Sequence, residues 1–381
     1  MPVEDSPFQF RDWAYLPPEV VELISEKIKS IIDYVRFCAV CSSWRSISLW
    51  KLPHLPLQLP WLILPFEPCP DEKDDGIRFL YDIWESKMRR LYLPETINVM
   101  CCASYRGWLL LVSIGGREVF LLNPLTRAQI HLPPFTSPVK HFGNKLHRFC
   151  FNGSDLFGSY MGYFAKSKMT FSTNLANPNC LITVCLWQCW VLCCRVGDYC
   201  WTRVISRYDT GPSDATYYNG QFYLLYRGAM DIIKSNKPEE VINFNFEPEL
   251  RAVRMRLLEG KSGVYVVAFH PDQNIKIYKF QEQSLKLEVT DRSNTTIFGG
   301  STITGPYLAV CSDDWDSLDG DSIYIEYSCI YRGDEHYLGS YHSIFGTDRD
   351  GDTIEHIVRD PGKKRRFWPP EPAMWFQPSF F

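Results

Sequence analysis

The chain of 381 residues lacks the short motifs on which many catalytic sites are built. It holds no Gly-x-x-x-x-Gly-Lys-Ser/Thr loop to cradle phosphates, no His-Glu-x-x-His pair and no Gly-x-Ser-x-Gly elbow. None of its eight histidines stands at metal-ligand spacing from another within one element. It also lacks an excess of positive charge. Forty basic residues face 44 acidic ones, for a net charge of −4, and a general nucleic-acid binder would show a basic footprint. Long apolar runs are missing too. The strongest, Leu181 to Cys194, is interrupted by Gln188 and falls short of the roughly 20 residues a membrane helix needs. It reads as two adjacent buried strands.

Fourteen cysteines are present, but the setting opposes a disulfide framework. Met1-Pro2-Val3-Glu4-Asp5 is acidic and opens no apolar stretch, and Cys101-Cys102 and Cys193-Cys194 are adjacent pairs. The expectation is reduced, mostly buried thiols in a cytoplasmic and/or nuclear protein. Cys38-x-x-Cys41 has half of a zinc spacing with no second pair to match. Cys189, Cys193, Cys194 and Cys200 would alternate across a strand and cannot converge on one metal without a sharp bend. Asp348-x-Asp350-Gly351-Asp352 begins like a calcium loop, yet Thr353 and Arg359 stand where glycine and glutamate are required. The aspartates between Asp313 and Asp321 read as a solvated loop. No cofactor and no metal are expected.

What is present divides the chain in two. Residues 1–12 form a polar tail. Residues 13–50 carry helical periodicity: Pro17 and Pro18 suit a first turn, and Val20, Val21, Ile24 and Ile28 recur at three-to-four spacing. Asp33 is placed to cap a second helix, and Ser42 or Ser43 a third that bears Trp44. Three short helices bury too little surface to be comfortable alone, which argues for an interaction module. Residues 51–75 form a Pro-rich connector entering the first strand, since Leu59 to Pro65 is too apolar for a free linker. Beyond it, through residue 378, few helix-length periodic segments occur. Fifteen per cent aromatic content favours pleated surfaces there. Strands led by Gly107, Gly162, Gly220, Gly263 and Gly305 recur at intervals in the range of propeller blades. The fold class expected is a small all-α module followed by a large all-β domain, a kelch-like β-propeller, with a β-sandwich pair as the competing architecture.

Two motifs carry a resemblance. Leu16-Pro17-x-Glu19-Val20-Val21-x-x-Ile24, followed by Val40-Cys41-x-x-Trp44-Arg45, resembles an F-box. Val20 and Val21 replace the family's usual leucines, and Ser42 stands where a basic residue is common. Leu121-Leu122-Asn123-Pro124-Leu125-Thr126-Arg127, Gly197-Asp198-x-x-Trp201-Thr202, Tyr217 to Tyr223 and Trp368 to Pro378 resemble landmarks of plant F-box proteins with a KIB-type C-terminal β-propeller region. Residues 340–366 are richer in charge than that family leads one to expect.

The resemblance implies a non-catalytic substrate-recognition subunit of an SCF-type ubiquitin ligase. Its F-box would bind a Skp-family adaptor, and through it a cullin, while the β-domain recruits an unidentified target protein. Neither nucleic acid nor a membrane is an expected partner. Leu16, Pro17, Val20, Ile24, Ile28, Val40 and Trp44 are the implied F-box residues, with adaptor-facing and core roles left unseparated. The basic run Lys363, Lys364, Arg365 and Arg366 has the composition of a nuclear signal. The competing reading is a propeller enzyme or ligand-binding protein whose helices merely pack on it.

Overall fold

Two prolines start the first regular element. In the computed structural model a 3-10 turn at Trp13–Tyr15 leads into helix α1 (Pro18–Lys27). Pro18 occupies the first turn, where an amide would have no intrahelical partner anyway. The amides of Val20 and Val21 both donate to the Pro17 carbonyl, at 3.0 and 3.2 Å. Helix α2 spans Ile31–Cys38 and α3 spans Ser42–Ser48. Asp33 is not the cap of α2. Burial of Ile31 and Tyr34 brings the helix start forward, which leaves Asp33 in the first turn, 3.1 Å from Arg36. Cys41, rather than a serine, precedes α3. Its carbonyl accepts from the Arg45 amide and its Sγ lies 3.5 Å from the Trp44 amide.

The structure describes residues 13–28, 31–48, 60–64, 74–82, 85–113, 116–141, 146–147, 167–186, 190–204, 211–251, 254–260, 263–269, 275–289, 295–300, 308–311, 323–332, 338–347, 353–359 and 374–376. They fall into two compact units divided between Gln58 and Leu59. The second unit therefore begins inside the Pro-rich stretch, because Trp61–Ile63 is a fully buried strand.

Among the described residues the second unit contains six sheets. The first joins Met374–Phe376, Trp61–Ile63, Ile77–Asp82 and Lys87–Tyr92. Its inner strand comes from the far end of the chain, with Leu62 opposite Trp375. The second runs Val99–Tyr105, Trp108–Ser113, Val119–Leu122 and Gln129–Leu132. The third opens with Lys168–Phe171, Leu181–Cys185, Val191–Arg195 and Thr202–Val204. Val139–His141 then adds to its outer edge in parallel. The fourth is Asp214–Tyr218, Gln221–Tyr226, Ala229–Lys234 and Lys237–Asn245, and the fifth is Arg254–Gly260, Gly263–Phe269, Ile275–Gln281 and Lys286–Val289. The sixth spans segments from Thr295–Gly300 to Thr353–Arg359.

Neighbouring sheets meet through their inner strands, and the series returns from the sixth to the first and on to the second. That closed ring is a β-propeller, which solves the edge-strand problem by closure. Gly107 and Gly220 lie in the tight turns between the first and second strands of the second and fourth sheets, at φ 81° each. Each is preceded by a residue also at positive φ, Arg106 or Asn219, as a two-residue hairpin turn requires. Gly263 opens the second strand of the fifth sheet. The glycine spacing thus marked real hairpins, while Gly162 and Gly305 lie outside the described residues.

The spaces between sheets are filled by apolar side chains. Leu110, Leu121, Ile182, Leu192 and Trp201 pack between the second and third, and Tyr223, Met230, Val266 and Phe280 between the fourth and fifth. Trp201 is fully buried, stacks on Phe135 at 5.2 Å and donates its indole N–H to the Pro133 carbonyl at 2.6 Å. Asn123, also fully buried, turns the chain at Asn-Pro: its Oδ1 accepts from the amides of Leu125 and Thr126.

Candidate functional site

In the helical unit the apolar residues separate into two sets. Val21, Phe37 and Trp44 form a buried cluster, with Leu16, Ile24, Ile28, Cys38, Cys41 and Ile47 partly buried around them, and Ile31 and Tyr34 of α2 are buried as well. Trp44 packs against Phe37 with ring centroids 4.7 Å apart. Its neighbour Arg45 donates Nε–H to the Cys38 carbonyl at 3.1 Å and so satisfies the end of α2. The second set points outward. Tyr15 is 84% exposed, Trp13 64%, Leu23 58% and Val40 53%, with Val20 and Val35 less so, and Pro17 is exposed as well.

The helical period explains the split on α1. Val21, Ile24 and Ile28 follow three-to-four spacing toward the core, while Pro17, Val20 and Leu23 follow a three-residue spacing that opens the other face. Of the seven residues the sequence points to, Trp44 is core, Leu16, Ile24 and Ile28 line the core, and Pro17, Val20 and Val40 face out. Reading all the valines and isoleucines of α1 as one face merges two. Leu23 continues the three-residue spacing of Pro17 and Val20, the sequence signal for this second face, whereas Tyr15 and Val35 lie outside α1 and carry no such spacing.

The propeller places its notable polar groups inside. Arg78 is 2% exposed, yet all five of its N–H donors have acceptors. Nη1 and Nη2 form a fork onto Asp74 at 2.8 and 2.7 Å, Nε meets Thr96 Oγ1, and the carbonyls of Ile77 and Thr96 take the rest. Asp74, by sequence at the end of the Pro-rich connector, is thus a structural counter-ion. Gly76 between them is at φ 71°, with the Pro94 backbone 3.1 Å from where a Cβ would stand.

Nearer the axis, Asp214 links three sheets. Its carboxylate accepts from Lys168 of the third, from the Ala215 amide of its own strand, and from the Leu257 amide of the fifth at 2.9 Å. A second link spans the ring. Tyr105 Oη donates to Glu259 Oε2 at 2.6 Å, and Arg106 Nη2 lies 2.5 Å from Oε1. These residues end the inner strands of the second and fifth sheets, which stand opposite in the ring of six. Burial and the adjacent Glu259 carboxylate raise the Tyr105 phenol well above its usual range. The result is a strut of neutral phenol, carboxylate and guanidinium closing across the central space.

Cysteine chemistry follows burial. Cys193 and Cys194 are adjacent but belong to different cores, Cys193 between the third and fourth sheets and Cys194 between the second and third. Burial pushes the Cys193 thiol up to about 12 and raises Cys194 as well, so both remain neutral, poor nucleophiles. Among the described residues no group of three or more His, Cys, Asp or Glu side chains is placed to hold a metal ion. Lys363, Lys364, Arg365 and Arg366 and the aspartate-rich segments at 313–321 and 348–352 lie outside the described residues.

A small helical unit with an apolar outer face, followed by a closed propeller, defines the architectural class. The KIB1-4 beta-propeller family model matches residues 80–345, more than half of the chain, and the protein belongs to that family. It is similar to F-box protein SKIP23 of Arabidopsis thaliana, 24% identical over 400 aligned positions that cover 95% of each chain. A further F-box protein of Arabidopsis thaliana is 32% identical over 127 residues, 32% of this chain and 29% of the relative. Among solved structures, the computationally designed Ika8 protein overlays with a TM-score of 0.33 at 9% identity, across 79% of this chain and 88% of that one, a likeness too loose to bear on function.

Proposed function

We propose that the protein is the substrate-recognition subunit of an SCF-type E3 ubiquitin ligase. The helical unit binds a Skp-family adaptor, which connects it to a cullin, and the propeller recruits a target protein for ubiquitination. The chain performs no bond chemistry of its own in this role. It raises the effective concentration of the target near the ubiquitin donor. The observation that carries the reading is the outward apolar set of Trp13, Tyr15, Pro17, Val20, Leu23 and Val40 on a small unit whose buried apolar side chains among the described residues are Val21, Ile31, Tyr34, Phe37 and Trp44. So much exposed apolar surface on so small a unit marks a partner site. The resemblance of its sequence to an F-box, and the F-box proteins among its relatives, support a Skp-family adaptor as the partner.

The test is co-purification with a recombinant Skp-family adaptor. Replacing Leu16 and Pro17 together by alanine is expected to abolish capture while the propeller's melting transition stays in place. Full capture by the double variant would overturn the assignment.

A further inference from the structure

The turn ahead of α1 is held by a contact that its own length does not explain. Trp13–Tyr15 is a single three-residue 3-10 turn, closed by a long bond from the Leu16 amide to the Trp13 carbonyl at 3.4 Å. Such short turns have poor hydrogen-bond geometry and little stability of their own. Yet the same carbonyl also accepts the indole N–H of Trp44, 31 residues on, at 3.1 Å. Trp44 is itself fixed, 8% exposed and packed on Phe37.

The side chains that this turn carries are outward aromatics, Trp13 and Tyr15. Ordering exposed aromatics gains nothing for the free unit. It does gain affinity for a partner, because rigid aromatic anchors that are already placed avoid ordering entropy on binding. The turn runs directly into the Pro17, Val20 and Leu23 face of α1, with Leu16 between.

We infer that Trp44 is a positioning residue: its indole N–H holds the Trp13–Tyr15 turn so that Trp13 and Tyr15 extend the adaptor-binding face of α1. This rests on the adaptor reading above. Trp44 then contributes to binding without being part of the contact surface, and the surface itself begins three residues before the Leu16-Pro17 motif.

A double-mutant cycle on the full chain separates positioning from packing. Trp44→Phe keeps a ring against Phe37 and removes the donor, with some loss of buried ring volume that the second background controls for. Affinity for a recombinant Skp-family adaptor from Arabidopsis thaliana, measured by titration calorimetry, is expected to fall roughly five- to tenfold, the worth of one hydrogen bond. W13A/Y15A, which leaves the Trp13 carbonyl in place, is expected to fall by at least as much. Adding W44F to W13A/Y15A is expected to change nothing further, since the turn then has nothing to present. Equal losses from W44F in both backgrounds would mean that Trp44 matters only as core, and the inference falls. It falls equally if W13A/Y15A binds like the wild type, including the case in which that variant instead loses self-association. Should W44F unfold the helical unit, W13A/Y15A alone decides, because neither residue is in the core. Absence of binding by the wild type would overturn the adaptor reading itself, a different result from wild-type binding that these variants leave untouched.

Discussion

The two units of this protein invert each other's chemistry. The helical unit buries Val21, Ile31, Tyr34, Phe37 and Trp44 and turns Trp13, Tyr15, Leu23 and Val40 to the outside. The propeller does the reverse: Arg78, Asn123, Asp214, Asp231 and Arg256 are buried, and its apolar residues fill the spaces between sheets. The difference teaches where each unit gets its definition. A ring of sheets has enough core to carry internal charges such as Arg78, whose donors all have acceptors. A unit of three short helices has no such reserve, and it leaves Trp13, Tyr15, Leu23 and Val40 exposed. Substitutions should therefore act on stability in the propeller and on binding in the helices.

The largest expected effect is at Trp201. Trp201→Ala removes a fully buried indole and its bond to Pro133, and should destabilise the propeller by about 3–5 kcal/mol in urea unfolding. A change below 1 kcal/mol would break the view that the sheet spaces carry the stability.

Alkaline pH should come next. Cys193 is held neutral, with its thiol raised to about 12, against an unfolded value of about 8.5. Between those values the unfolded chain binds fewer protons than the folded one, so stability falls as pH rises. The contribution is whole below about pH 8.5 and declines at up to roughly 1.4 kcal/mol per unit for such a thiol. Urea midpoints from pH 8 to 10 should show this slope, and Cys193→Ala should flatten it. An unchanged slope would show that the thiol is reached by water.

Glu259→Gln should weaken the strut between opposite sheets. With Arg106 nearly half exposed, the loss should be about 1 kcal/mol or less. Its diagnostic readout is ultraviolet titration: without the carboxylate charge the Tyr105 phenol should ionise at lower pH than in the wild type. If the titration does not move, the two sheets are not joined there.

The smallest stability effect is predicted where the binding effect is large. Val20→Ser with Leu23→Ser should leave the helical unit's melting within about 0.5 kcal/mol, since both are exposed, while adaptor capture drops. Loss of folding instead would erase the contrast between the two units.

Much of this architecture was legible in residue patterns. Pro17-Pro18 placed the start of α1, Gly107 and Gly220 marked hairpins, and the apolar run from Leu181 to Cys194 supplied two antiparallel strands, Leu181–Cys185 and Val191–Arg195. These are local matters: proline lacks an amide, glycine accepts positive φ, and strands alternate. The pairing of Trp61–Ile63 with Met374–Phe376 was less legible, because closing a ring joins residues more than 300 positions apart. Asp74 was hidden for a different reason, since its partner lies only four residues on but composition does not show the pairing. Asp74 is a linker residue by composition and an internal counter-ion by contact with Arg78.

By itself, then, the sequence determined the order of the two units, the all-α then all-β character of each, and the F-box and propeller landmarks, because period, turn chemistry and motif spacing act over a few residues. Only the tertiary structure decided that the sheets close into a ring, that Glu259 reaches across it to Tyr105 and Arg106, and that Val20 faces out while Val21 faces in. Those outcomes depend on which surfaces meet. One step along a helix turns a side chain by about 100°, and the position of the neighbouring helix, not the residue's own hydrophobicity, settles whether that direction is core or surface.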